Sequence, residues 1–187
     1  MIDARQIALD AWQQHHASQR FDELVEAVAV AAAIEPEVIV EIGCDAGGTL
    51  YAWRQICTEV YGITLADNSA PTGGQGYPLA DHGAEVLVAD SHDPASLAWL
   101  EGRLGGRPID VLFIDGDHSY EGARADYDMY APLVRPGGLI LLHDVVNHAN
   151  PLVDLERLWD EVRGDNGYVI ASKRSRPVGF GVIPVKE

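Results

Sequence analysis

Apolar residues recur at helical spacing between Ile7 and Ala33: Ile7, Leu9, Ala11 and Trp12 form one stripe, and Leu24, Val25, Val28 and Ala29 a second. A polar break from Ser18 to Arg20 separates them, so two helices are expected rather than one. Pro36 ends the second. The period then changes, because "VIVEIG" (Val38 to Gly43) is a β-branched run of strand length, apolar enough to be buried on both faces of a sheet. A helix from Gly48 to Glu59 is expected next, then a strand "VYGIT" (Val60 to Thr64). The Gly/Pro-rich stretch from Leu65 to Gly83 is long for a connector and reads as a functional lid.

Strand and helix patterns go on alternating: "EVLVAD" (Glu85 to Asp90), a helix from Asp93 to Leu104, "IDVLFID" (Ile109 to Asp115), a helix from Tyr120 to Leu133, and "GLILLHD" (Gly138 to Asp144). Such alternation implies right-handed βαβ crossovers and an α/β fold, a Rossmann-like doubly wound sheet with helices on both faces. A helix from Pro151 to Val162 follows. Two last strands, "YVIASK" (Tyr168 to Lys173) and "GFGVIPV" (Gly179 to Val185), are five residues apart, which suits an antiparallel hairpin. The expectation is a mainly parallel seven-stranded sheet, with N-terminal helices over residues 1–35 as a lid and a core over 36–187. At 187 residues this fits one domain. Trp12, Trp53, Trp99 and Trp159 fall in the helices, where packing is their expected role, as it is for Tyr120, Asp126 and Tyr127.

Charge narrows the partners. A formal net charge of −16 would repel nucleic-acid phosphates and anionic membranes over most of the surface, leaving small molecules as expected ligands. There is no run of roughly 18 apolar residues to span a bilayer. The start "MIDARQIALDAWQQHHASQR" lacks the basic and apolar regions of a secretory signal, so a cytoplasmic location is expected. Cys44 and Cys57 form neither a disulfide framework nor a CxxC site.

Ligands of open α/β sheets bind at the carboxyl ends of the strands. The first such turn reads "EIGCDAGGT", Glu41 to Thr49, and its glycines let the backbone pass close to a ligand. The spacing is not the G-x-G-x-x-G of a dinucleotide site, and a tight strand-to-helix turn would also want glycine. At the fourth strand's end stands Asp115, in "FIDGDHSYEG", and at the fifth His143 and Asp144. Neighbouring parallel strands lie about 4.8 Å apart, so these carboxylates can reach a common divalent cation; capping a turn and bonding to "VVNHANP" are their structural alternatives.

E-x-G-x-x-x-G-x-T, with "LVRPGG" before the fifth strand and "FIDGDHSYEG" after the fourth, resembles class I S-adenosylmethionine-dependent methyltransferases. The likeness is strongest to the metal-dependent O-methyltransferase branch that includes cephalosporin-biosynthesis and macrolide sugar O-methyltransferases. It implies that Glu41, Gly43, Cys44, Gly47 and Thr49 bind S-adenosyl-L-methionine, with Asp90 and Ser91 at the adenine. Where the family carries an acid for the ribose, this chain has Thr64, with Asp67 three residues on. The resemblance makes Asp115 and Asp144 ligands of Mg²⁺ or Mn²⁺, joined by His143 where glutamate is usual, and makes His118 the general base that deprotonates a hydroxyl acceptor on a small molecule such as a sugar. An imidazole ligand would favour Mn²⁺ or another transition ion over Mg²⁺. Two other functions remain open at this point: a nucleotide-cofactor oxidoreductase, which the glycine spacing disfavours, and a non-catalytic cofactor-binding or interaction domain. The small lid leads us to expect a homo-oligomer.

Overall fold

The alternating pattern folds as expected in a computed structural model, which describes residues 2–65, 77–146, 153–173 and 178–186. Helices α1 (Ala4–Gln14) and α2 (Phe21–Ala33) lead into β1 (Val38–Ile42), α3 (Gly48–Arg54), β2 (Glu59–Thr64) and β3 (Glu85–Val88). There follow α4 (Pro94–Leu104), β4 (Ile109–Ile114), α5 (Tyr120–Tyr130), β5 (Val134–His143), α6 (Leu155–Val162), β6 (Tyr168–Ile170) and β7 (Phe180–Pro184). The strands form one seven-stranded sheet in the order β3-β2-β1-β4-β5-β7-β6. Strands β1 to β5 pair in parallel, and β7 runs antiparallel to both β5 and β6. Strand order reverses between β1 and β4, so the turns after these two strands flank the crevice where such sheets bind ligands.

Among the boundaries that differ from the sequence expectation, three have a visible cause. The helix expected to reach Glu59 stops at Arg54, whose guanidinium donates to the carbonyls of Cys57 and Thr58 and fastens the chain into a turn. The helix expected to reach Leu133 ends at Tyr130, and Ala131–Leu133 tightens to a 3₁₀ turn around Pro132. "VRPGG", placed before the fifth strand by the sequence reading, lies within β5: Val134 pairs with Ile109 and Leu139 with Val111, five steps against two, so the excess forms a bulge. Arg135 of the bulge donates to Asp110 Oδ1 (2.5 Å), while Asp110 Oδ2 takes the N–H groups of Glu37 and Val38. Asp67, the middle of the expected lid and the expected helix start at Pro151 lie outside the described residues.

Side chains alternate across the buried strands. Ile39, Val111, Phe113, Leu139 and Leu141 meet Leu24, Ala27, Val28, Leu50 and Trp53 on one face, which α1, α2 and α3 cover. Val40, Ile42, Leu112, Ile114, Ile140 and Leu142 meet Leu100, Tyr130, Leu158 and Trp159 on the other, under α4, α5 and α6. Each large side chain so buried contributes about 1.5–3 kcal/mol, which is why these strands read as unbroken apolar runs. Trp53 and Trp159 are buried as expected, Trp99 packs at the edge of the second cluster, and Trp12 is half exposed on α1. Since α1 and α2 carry one face of the core, what reaches over the crevice from the N-terminal region is their connector, His15 to Arg20.

Glu23 is an acid on the buried face of α2. It accepts from the backbone N–H groups of Ser172 (2.7 Å) and Gly179 (3.3 Å), and Asp22 takes the Ser172 hydroxyl, so α2 grips both ends of the β6–β7 link. The α1–α2 connector is seated as firmly. A Cβ on Gly48, in the first turn of α3, would stand 2.3 Å from Ala17 N and 2.7 Å from His15 O. We predict that Gly48→Ala costs about 1–3 kcal/mol, the range for forcing an extra methyl into a filled space, and lowers the urea midpoint accordingly. An unchanged midpoint would show that the connector does not rest on α3.

Candidate active site

A cavity of about 910 Å³ opens over the carboxyl ends of β1, β2, β4 and β5. Its centre is the joint between two turns. Gly43 takes a left-handed conformation (φ 86°), and a Cβ there would fall 2.2 Å from the Asp115 carbonyl oxygen. The Gly43 N–H bonds to Ile63 O and the Asp115 N–H to Ile42 O, each at 2.8 Å, so the glycine turn and the acid turn are knitted together.

Of the residues expected against the methyl donor, Gly43, Cys44, Thr49, Asp90 and Ser91 line this cavity, and Glu41 and Gly47 do not. Glu41 points from β1 towards α3, where it is wholly buried and accepts the Thr49 hydroxyl. Burial pushes its carboxyl up to about 8. Gly47 (φ 89°) turns its open side to the Ala80 carbonyl. Thr64 does line the cavity, where the resembled family has its acid.

At the β3 end, Asp90 Oδ1 accepts the His92 N–H (2.9 Å), and the Ser91 carbonyl takes the Tyr130 hydroxyl (2.6 Å). His92, which the sequence reading passed over, also lines the cavity; its Nε2 lies 3.1 Å from Gly122 O and 3.3 Å from Asp126 Oδ1. Asp126 is fully buried, and burial pushes its carboxyl up to about 6. The signal for it was in the chain: Gly122, Ala123, Asp126 and Tyr130 share one helical face at spacings of three and four, with an acid on the stripe.

The opposite end holds the ionisable cluster. Asp115 follows β4; Asp144 follows β5 in a left-handed conformation (φ 59°), tolerated by aspartate better than by most side chains. His118 sits in the turn before α5, held from two sides: Asp117 accepts the Ser119 N–H (2.8 Å), and the His118 carbonyl takes the Asp154 N–H (2.9 Å). Its Nε2 lies 2.9 Å from Asp144 Oδ2 and 3.3 Å from Asp115 Oδ1. His143 Nδ1 approaches the same two oxygens from below, at 3.5 and 3.3 Å, with its ring against Phe113 and Phe180.

Asp115, His118, His143 and Asp144 thus come together at the ends of β4 and β5. Among the described residues, the group whose ligand atoms all lie within 4.8 Å of one another is Asp115, His118 and Asp144, which includes His118 and not the expected His143. The charges are mutually supporting. Hydrogen bonds to Asp115 and Asp144 push His118 up to about 10; burial works against His143, yet the two carboxylates push it up as well. Burial would raise both acids, and the two imidazoliums outweigh it and hold them below the usual carboxylate range. A last neighbour comes from the connector: Gln19 Nε2 donates to Asp115 Oδ2 at 2.7 Å, a contact 96 residues apart that no local pattern announces.

Residues 40–145 match the family model described as a methyltransferase domain. The chain belongs to that family. Its curated relatives include the demethylmacrocin O-methyltransferase of Streptomyces fradiae, 31% identical over 101 residues. Another is the 8-demethyl-8-alpha-L-rhamnosyl tetracenomycin-C 2'-O-methyltransferase of Streptomyces olivaceus, 32% identical over 101 residues. Each match takes in 53% of this chain but only 23% and 24% of the relative, so the chain aligns with under a quarter of either one's length. Among solved structures, the MycE methyltransferase in complex with Mg, SAH and mycinamycin VI superposes with a TM-score of 0.66 at 17% identity, over 99% of this chain and 55% of that one. An O-methyltransferase from Bacillus cereus in complex with SAH gives 0.65 at 20% identity, over 98% and 89%. The fold of this methyltransferase domain is theirs. None of its described helices is long and apolar enough to cross a membrane.

Because the folded state raises the His118 pKa above its ordinary 6.5, the stability this group confers is complete below about pH 6.5 and is lost as pH climbs through about 10. In chelator-treated protein we expect urea unfolding to show this decline, and His118→Gln to flatten it. Superimposable pH profiles for the two proteins would contradict the charge arrangement described above.

Proposed function

We propose that this domain is an S-adenosylmethionine-dependent O-methyltransferase acting on a hydroxyl group of a small molecule such as a sugar or hydroxylated natural product, with a divalent cation held by Asp115 and Asp144. The observation that carries the reading is the convergence of Asp115, His118 and Asp144 at one end of a cavity whose other walls are the glycine turn and the Asp90–Ser91 turn. The names of the curated relatives, and the Mg and SAH in the MycE complex, support the reaction class and the cofactors.

The residues fit a hard cation. Two largely buried carboxylates facing each other need positive charge, which protonated His118 and His143 supply here and a divalent ion would supply more strongly. Such an ion lowers the pKa of a hydroxyl brought against it. The remaining steps belong to the chain. His118 is the most exposed member of the cluster, its side chain 39% accessible, and so the one able to meet an acceptor. In the field of the two carboxylates it keeps its proton to about pH 10 and cannot act as a base at neutral pH; once their charge is countered by another cation, that bias is removed. It then takes the hydroxyl proton as the acceptor oxygen attacks the sulfonium methyl, the S–CH₃ bond breaks, and neutral thioether leaves with the bonding pair. His118 returns the proton to water. His143, buried beneath, keeps both carboxylates aimed at the same point, and the cavity walls hold the two substrates in line.

Calorimetry should show saturable binding of S-adenosylmethionine and none of NAD. Methyl transfer to sugar or polyol hydroxyls should stop in EDTA and fall about 10²–10⁴-fold in His118→Ala, the usual loss when a general base is removed. Undiminished turnover in EDTA would sink the cation step, and tight NAD binding the whole reading.

A further inference from the structure

Gln19 is a polar cavity residue, only 4% exposed and half satisfied, a state it shares with His143, whose Nε2 also lacks a partner among the described residues. Its carboxamide orientation is set by chemistry: the group 2.7 Å from Asp115 Oδ2 must be the N–H side, since the amide oxygen would repel a carboxylate there. The other end, Oε1, is then a buried acceptor with no donor within reach among the described residues, on a residue that lines the cavity. Leaving a buried acceptor unpaired is unfavourable, so a donor arriving with a ligand would remove a standing penalty.

Asp115 divides its oxygens. Oδ2 is occupied by Gln19, and Oδ1 faces His118 Nε2 and His143 Nδ1, each at 3.3 Å. Resting on the cation reading above, we propose that Gln19 is a positioning residue of the cation site: its N–H holds Oδ2 so that Asp115 offers the ion Oδ1 alone, and its Oε1 accepts a hydrogen from the ion's hydration water. Mg²⁺ and Mn²⁺ suit such an arrangement, since small hard ions bound by few carboxylates keep several waters. The α1–α2 connector thereby becomes part of the ion's surroundings. Partners of ligating groups typically change metal affinity 10–100-fold when removed.

The test is calorimetric titration of Mn²⁺ into EDTA-stripped, dialysed wild type and Gln19→Met, which keeps the side chain's length and loses both hydrogen bonds. The expected result is affinity about 10-fold or more weaker in the variant, with the rise in unfolding temperature that Mn²⁺ gives reduced to match. A merely structural Gln19 would lower the unfolding temperature in EDTA and leave Mn²⁺ affinity alone, and that outcome would overturn the proposal. Should the variant not fold, the wild type answers by NMR: the Gln19 carboxamide N–H signals must shift on saturation with Mg²⁺, and unmoved signals refute the role. Absence of any Mn²⁺ heat in wild type would remove the cation reading and this inference with it; wild-type heat with an unaltered variant removes only the inference.

Discussion

Two carboxylates brought together out of water require positive charge, and the arrangement around Asp115 and Asp144 follows from that requirement. Adjacent parallel strands end side by side, so side chains just beyond β4 and β5 meet whether or not their charges agree. Burying either acid alone would be unfavourable by several kcal/mol, and the sequence supplies two imidazoles at the spots where they can share protons with both. The same constraint accounts for the left-handed backbone at Asp144 and for the fastening of His118 from both sides. An electrostatic pair that must be neutralised is also one that can be switched by what neutralises it, which gives His118 a basicity set by its company.

Backbone contact joins this cluster to the rest of the cavity. Gly43 lies so close to the Asp115 carbonyl that the two turns form one surface, and displacement of either would be felt by the other. The Gly48 contact does the same for the α1–α2 connector, which lies on the first turn of α3 and delivers Gln19 to Asp115. Cavity walls built from three separated stretches of chain are thus held by glycine positions rather than by large side chains.

How much of this was visible beforehand depends on the range of the interaction. Strands such as Val38–Ile42 and Ile109–Ile114 announce themselves, because burial on both faces demands an unbroken apolar run. Asp115, His118, His143 and Asp144 could be placed together from the strand-end rule and the family resemblance. The surroundings of Glu41 were not legible, since its place on the inward alternation of β1, and hence its bond to Thr49, depends on which helix covers that face. The early end of α3 rests on the long Arg54 side chain bonding past the helix, a choice that helical periodicity does not register. Gln19 and Glu23 act on partners 96 and about 150 residues away, a distance at which nothing in the local pattern can speak.

That last separation bears on how the molecule comes to exist. Glu23 is made about 150 residues before the backbone groups that satisfy it, at Ser172 and Gly179. A growing chain therefore carries this acid on α2 without its native partners until the β6–β7 hairpin emerges. Closing a loop of that length is entropically demanding, and contacts of long sequence separation slow folding. The packing of α2 would thus be completed only when the β6–β7 hairpin locks on.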